Sequence, residues 1–155
     1  MDAEDDRPIL YLDDLNVGDT FESGGITVTE AAIIEFAKQY DPQSFHTDPE
    51  AAKSTFFGSL AASGWHTAAM SMSLVVTQGP RFEGGMIGAG GELNWPSPTR
   101  PGDRLRIRAT VLEVSRSKSR PDRGSVVLRI ETLNQDDEVR QVFTPKTILF
   151  ARPQT

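Results

Sequence analysis

Residues 64 to 77, GWHTAAMSMSLVVT, combine helix formers with small side chains and carry no charge. A helix without a charged face has no side that suits water, so this stretch predicts a helix surrounded by other structure on most sides. The rest of the chain must supply that cover. Downstream, MIGAGGELNWPSP, DRLRIRATVLEVSRSKS, GSVVLRIETLNQ and EVRQVFTPKTILFAR read as four strands. The turns between them are RPGD at 100 to 103, RPDRG at 120 to 124 and NQDDE at 134 to 138. Leu105, Ile107, Ala109 and Val111 alternate with Arg104, Arg106, Arg108 and Thr110, the pattern of a sheet with one buried face. One uncharged helix and a mostly antiparallel sheet bury each other if the sheet curls around the helix. The fold class is therefore α+β.

Upstream of that helix the chain reads differently. Residues 1 to 8, MDAEDDRP, form an acidic lead-in expected to be disordered. LNVGDTFESGGITVT holds a turn and then a strand interrupted by Gly24 and Gly25. In EAAIIEFAKQY, Ala32, Ile33, Phe36, Ala37 and Tyr40 recur at helical spacing. Thr27 with Glu30 fits a capping box at its start, and Thr29 fits equally well as the N-cap. Asp41 precedes Pro42 and is biased out of the helical region, so the helix should stop near Tyr40. A second short helix should start with Asp48 as N-cap and Pro49 at the first helical position. Residues 41 to 47 then form a short connection, and residues 9 to 152 form one domain.

Composition excludes several functions. The chain of 155 residues has no cysteine, which removes disulfides, thiolate metal sites and a cysteine nucleophile. Only two histidines are present, which argues against a histidine-rich metal site. The net charge of −6 argues against sequence-independent nucleic-acid binding. The acidic start lacks the pattern of a secretory signal, and no window approaches the roughly 18 apolar residues that span a bilayer. The expectation is a cytoplasmic protein with no membrane contact.

Three features carry chemistry. Asp41 and His46, in the connection YDPQSFHTDPEAA, offer a carboxylate and an imidazole that together are able to hold and deprotonate a water. By spacing alone, a turn at Asp41 and packing of His46 beside Phe45 is the favoured reading. The second feature is the helix start ASGW. Its unpaired backbone N–H groups are positively polarised, and Gly64 allows a ligand close approach. Ser63 is read first as a cap there, with a hydroxyl also available to a ligand. His66, in the first helical turn, is read as a neutral, hydrogen-bonded structural residue. The third is SRSKSRPDRG, a locally positive turn in an acidic chain. Arg120 and Arg123 in it suit anionic phosphates, or simply solvent.

Three separated segments in this order, YDPQSFHTDPEAA, FGSLAASGWHTAAM and RPGDRLRIRATVLEVSRSKSRPDRG, resemble the MaoC-like dehydratases, relatives of the (R)-specific enoyl-CoA hydratases. The resemblance runs from about residue 10 to 150. It implies a hot dog fold, in which a curved antiparallel sheet wraps a long central helix, assembled as a homodimer. The layer count above reaches a similar picture independently. The resemblance places Asp41 and His46 on the family's acid and imidazole, Phe45 on its apolar position, and Gly64 on the glycine whose N–H holds the thioester oxygen. Gln43 and Ser44 stand where Asn and Pro are usual. The family's substrate-contacting serine falls near Met72, flanked by Ser71 and Ser73, so that role is not carried over.

The resemblance further implies a lyase of fatty acid metabolism, adding water reversibly across the C2–C3 double bond of an enoyl thioester. Coenzyme A or an acyl-carrier protein would be part of the substrate, with no separate cofactor or metal. Trp65, Phe56 and Phe57 are the expected acyl-chain lining. Arg120 or Arg123 would approach the phosphates, with the cofactor arm lying across a subunit boundary. A thioesterase of the same fold is the first alternative. Such enzymes commonly place an acid on the central helix, and residues 65 to 78 contain neither Asp nor Glu. A catalytically silent subunit is the second.

Overall fold

In the computed structural model, which describes residues 4 to 154, the alternation around Leu105 becomes the centre of the sheet. The first three residues of the acidic lead-in lie outside the described part. Short strands β1 (Ile9–Leu10), β2 (Thr20–Glu22) and β3 (Ile26–Thr27) lead to helix α1 (Glu30–Tyr40). Helical turns α2 (Ser44–Thr47) and α3 (Pro49–Ala52) follow, then helix α4 (Gly64–Gln78). The chain ends in β4 (Arg81–Phe82), β5 (Ile87–Asn94), β6 (Arg104–Arg116), β7 (Arg123–Leu133) and β8 (Val139–Phe150).

Six strands form one antiparallel sheet in the order β2-β6-β7-β8-β5, with β3 also on β6, while β1 and β4 make a small parallel pair. The four expected strands and their turns are all present. Ala109 lies opposite Ile130 and Ile130 opposite Phe143, which sets the buried face in register across β6, β7 and β8. Leu105, Ile107, Leu128, Ile130 and Leu149 are sealed from solvent on that face. Each contributes about 1.5–3 kcal/mol by leaving water. Leu74 and Val75 of α4 and Ile33 of α1 join the same core.

The sheet is open, with edges at β2 and β5, and the helical content is shared between α4 with 15 residues and α1 with 11. Only one side of α4 is buried within the chain, through His66, Thr67, Ser71, Leu74 and Val75. Trp65 and Val76 face outward, 61% and 45% exposed. Enclosure on most sides, as expected from its lack of charge, is thus not met by one chain. Absence of charge excludes water as a preferred neighbour but does not say which surface replaces it. No helix among the described residues is long and apolar enough to cross a membrane.

Two buried polar clusters position the start of α4. Asp103, 3% exposed, pairs with Arg140 at 3.0 Å and accepts hydrogen bonds from the Arg100 backbone and Asn134. The Arg100 and Arg140 contacts lock the bend into β6. Just before it, the Thr99 carbonyl accepts from the Ala62 N–H, and the Thr67 hydroxyl donates to the Thr99 hydroxyl at 2.9 Å. Further along α4, Ser71 and Thr132 share a hydrogen bond of 2.6 Å. Buried polar groups cost little when paired in this way, and each pair fixes the helix against the sheet.

Candidate active site

Asp41 is placed by the way α1 ends. Thr29 is the N-cap, accepting from the Ala32 N–H at 3.1 Å, and the helix runs until the residue before Pro42 leaves helical geometry, with φ −152° and ψ 69° at Asp41. The Asp41 N–H still donates to the Ala37 carbonyl, so the last turn holds the side chain in place. Residues 41 to 47 are more than a connection. Ser44–Thr47 wind into one helical turn, and that turn carries His46 inward, where it is 5% exposed. Asp48 then caps α3 by accepting from the Glu50 and Ala51 N–H groups.

His46 Nδ1 lies 2.6 Å from the Ala61 carbonyl oxygen. A carbonyl only accepts, so Nδ1 carries a proton, and in neutral His46 the free lone pair is on Nε2. Nε2 is 3.3 Å from Asp41 Oδ2. A lone pair and a carboxylate oxygen are both acceptors, and their convergence suits a molecule with two O–H donors, namely water.

The carboxylate is itself well held. Gln43 Nε2 donates to Oδ1 at 2.7 Å, and Ser63 Oγ donates to Oδ2 at 2.7 Å. Partial burial raises the Asp41 pKa, but the hydrogen bonds from Gln43 and Ser63 and the nearby His46 outweigh it, holding the carboxyl below its ordinary value. Asp41 therefore stays ionised at neutral pH.

Ser63 has both roles open to it: it is fully buried, accepts from the Trp65 N–H at 3.3 Å as N-cap of α4, and donates to Asp41. Gly64 follows as the first helical residue, and its N–H has no acceptor among the described residues. A side chain is impossible there without rearrangement, since a Cβ would come within 2.5 Å of the Trp95 indole. The site thus joins two acceptors to the positive end of a 15-residue helix.

The expected lining residues separate. Phe57 is half-buried against Phe45 and His46, with ring centroids 5.0 and 5.9 Å away. Trp65 stands edge-on to Trp95 at 5.4 Å. Phe56 is 97% exposed, on the turn after α3, and encloses nothing within the chain. Arg120 and Arg123 lie in the β6–β7 hairpin. The Asp103 bend beside α4 is at the other end of the 13-residue β6, about 40 Å along the strand. Arg123 pairs with Asp122 at 3.0 Å and lies over the Phe150 ring, while Arg120 makes no ion pair among the described residues.

His66 is buried and stacked on Phe36, with centroids 4.7 Å apart and planes within 8°. Burial holds its pKa below the ordinary imidazole value, in keeping with a neutral ring. The expected hydrogen bond to Nδ1 is missing among the described residues, and the ring's recorded contact is the stack on Phe36. Two contributors escaped sequence reasoning. Gln43 was a departure from a motif and proves to be a carboxylate donor. Trp95 lay in a strand segment whose end could not be connected to Gly64 without the fold.

The profile described as MaoC like domain matches residues 15–132. The crystal structure of the MaoC-like dehydratase from Rhodospirillum rubrum is 55% identical, with a TM-score of 0.92 over 94% of this chain and 99% of that one. The uncharacterized protein YdeM of Bacillus subtilis (strain 168) is 33% identical over 131 residues, 83% of this chain and 90% of that protein. At the level of fold alone, the unliganded (R)-hydratase of Pseudomonas aeruginosa matches with a TM-score of 0.69 at 23% identity, over 92% of this chain and 86% of that one. The antiparallel sheet with its helices is the hot-dog-like α+β fold, and the chain belongs to the MaoC-like domain family.

Proposed function

We propose that this protein is a lyase, a hydratase/dehydratase that adds water reversibly across the C2–C3 double bond of an enoyl thioester. The observation that carries the reading is the 3.3 Å approach of His46 Nε2 to Asp41 Oδ2, at the end of α4 where the Gly64 N–H has no acceptor among the described residues. Water held by the pair attacks C3 through its oxygen. The Asp41–His46 pair takes the water's proton as the C2–C3 π electrons move toward the thioester oxygen. Gly64 N–H and the helix dipole stabilise the resulting enolate oxygen. A proton returned to C2 restores the thioester and completes a 3-hydroxyacyl product. Run backward, the same steps eliminate water.

Residues 9 to 152 work as a single hot dog domain in this reading, with the sheet curving around α4 as its central helix. Register shifts in β5, β6 and between β7 and β8 support the curvature, because bulges bend strands. A homodimer is part of it. Among the described residues the outer edge of β5 is unpaired, and Trp65, Val76, Ile87 and Trp95 expose apolar surface. A second copy would cover both and complete the enclosure of α4. Within one chain Arg120 and Arg123 stand far from Asp41, so their contact with the phosphates of coenzyme A or an acyl carrier would come from the partner subunit. The work is cytoplasmic and uses no separate cofactor.

The test is incubation with crotonyl-CoA and, separately, a saturated acyl-CoA. Loss of enoyl absorbance without thiol release from the saturated compound supports the hydratase. Thiol release with stable enoyl absorbance would instead establish a thioesterase.

A further inference from the structure

The carbonyl that holds His46 belongs to a segment with no regular structure of its own. Residues 53 to 63 form neither helix nor strand, and Gly58 turns the chain with φ +69°. Ala61 lies in this segment. Its N–H donates to the Phe45 carbonyl at 3.1 Å, and its own carbonyl accepts from His46 Nδ1. Among the described residues no backbone N–H reaches the carbonyls of Phe57, Ser59 or Leu60 just before it.

One side chain satisfies all three. Arg100 Nη2 donates to the Phe57 carbonyl at 2.8 Å, while Nη1 donates to the Ser59 carbonyl at 3.0 Å, the Ser59 hydroxyl at 2.8 Å and the Leu60 carbonyl at 3.3 Å. The guanidinium makes no ion pair among the described residues, so these oxygens are its partners. The arm starts from a fixed base, because the Arg100 N–H donates to Asp103 Oδ2 at 2.9 Å. A flat fork with several donors binds separate oxygens at once, which an ammonium on a flexible stem does less well.

We propose that Arg100 is a positioning residue: by gripping residues 57 to 60 it holds the Ala61 carbonyl against His46 Nδ1, and so keeps the imidazole in the tautomer that accepts from water. Neutral histidine has two tautomers. With the proton on Nδ1, the Nε2 lone pair stands beside Asp41 Oδ2, and both accept from a water. With the proton on Nε2, the ring would donate to that carboxylate, closing the pair on itself and leaving water no imidazole base. The Ala61 carbonyl selects the first form only while it stays in line with Nδ1. The inference rests on the hydratase reading for the use made of that lone pair, but the choice of tautomer does not.

The experiment is NMR of the intact protein with isotopically labelled histidine, alongside enoyl-CoA hydration. The chain has two histidines, so two imidazoles are read, and His66→Phe assigns them. At alkaline pH, where an ordinary imidazole is neutral, wild-type His46 shows a protonated Nδ1 and a bare Nε2. Arg100→Met, which keeps a long stem and removes the donors, gives a mixture of tautomers at His46 and leaves His66 unchanged. In the same variant kcat falls by about ten- to a hundredfold while KM stays within about twofold. Arg100→Lys, which restores part of the grip, lies between the two and is read instead should Arg100→Met not fold. A single Nδ1–H form in the Arg100 variants, turnover equal to that of an active wild type, or equal changes at His46 and His66 overturns the proposal. A mixed tautomer in the variants of a protein that hydrates no enoyl-CoA would reject the hydratase reading and leave the positioning of His46 standing.

Discussion

The Ser63 hydroxyl donates to Asp41 Oδ2 at 2.7 Å, tying the N-cap of α4 to the carboxylate that ends α1. One side chain therefore sets where the helix begins and how its acid is oriented. The same bond helps keep Asp41 below its ordinary pKa against the opposing effect of burial.

Ser63→Ala should accordingly act on two levels. Loss of the cap should cost about 1 kcal/mol of stability. Loss of the donor should raise the Asp41 pKa, so the acidic limb of the pH–rate profile, where activity falls as Asp41 gains a proton, should move to higher pH. The stability that Asp41 contributes is present above the unfolded carboxylate pKa and lost as pH falls through the lower folded one, and the variant should lose it at higher pH than wild type. Activity and stability profiles measured across acidic pH check this. An unmoved acidic limb would mean that Ser63 is a cap alone.

Gly64→Ala should be destabilising because its Cβ would sit 2.5 Å from the Trp95 ring. Overpacking of this kind costs about 1–3 kcal/mol. Combining it with Trp95→Ala should recover part of that loss, a non-additivity expected of residues in contact and readable from thermal denaturation of the four proteins. Strict additivity would show that the two do not touch.

His66 offers a separate pH test. Burial depresses its pKa, so the folded state holds it neutral. Its contribution is complete above the ordinary imidazole value near 6.5 and is lost as pH falls from there through the folded pKa, because the unfolded chain takes up the proton first. His66→Phe keeps an aromatic ring against Phe36 and has no proton to bind. Its stability should decline less than that of wild type over this acidic window in denaturant titrations. Parallel declines would assign the acid sensitivity to other groups.

The strands and α4 were legible because period-two alternation and an uncharged helical run are local properties. Leu105, Ile107, Ala109 and Val111 point inward as their spacing predicts. Asp41 and His46 were legible as a candidate pair but not in their geometry, since the helical turn at Ser44–Thr47 brings them together and its sequence carries no strong helix signal. Phe56 shows the limit of composition: an aromatic residue reads as lining or core, yet on this turn it projects into solvent. Trp95 was beyond reach for another reason. Its contact with Gly64 depends on the pairing of β5 with β8, where Asn94 meets Val142 next to the buried Gln141 that anchors the indole.

The central claim is that Asp41 and His46 act as one unit on water. Its most direct measurement is enoyl-CoA hydration by Asp41→Asn, His46→Gln and the double variant, each confirmed folded by circular dichroism. Each single change should lower turnover by at least about a hundredfold, and the double should be little worse than either, as for groups that work together. Near-normal turnover in Asp41→Asn, or losses that multiply fully in the double variant, would contradict it.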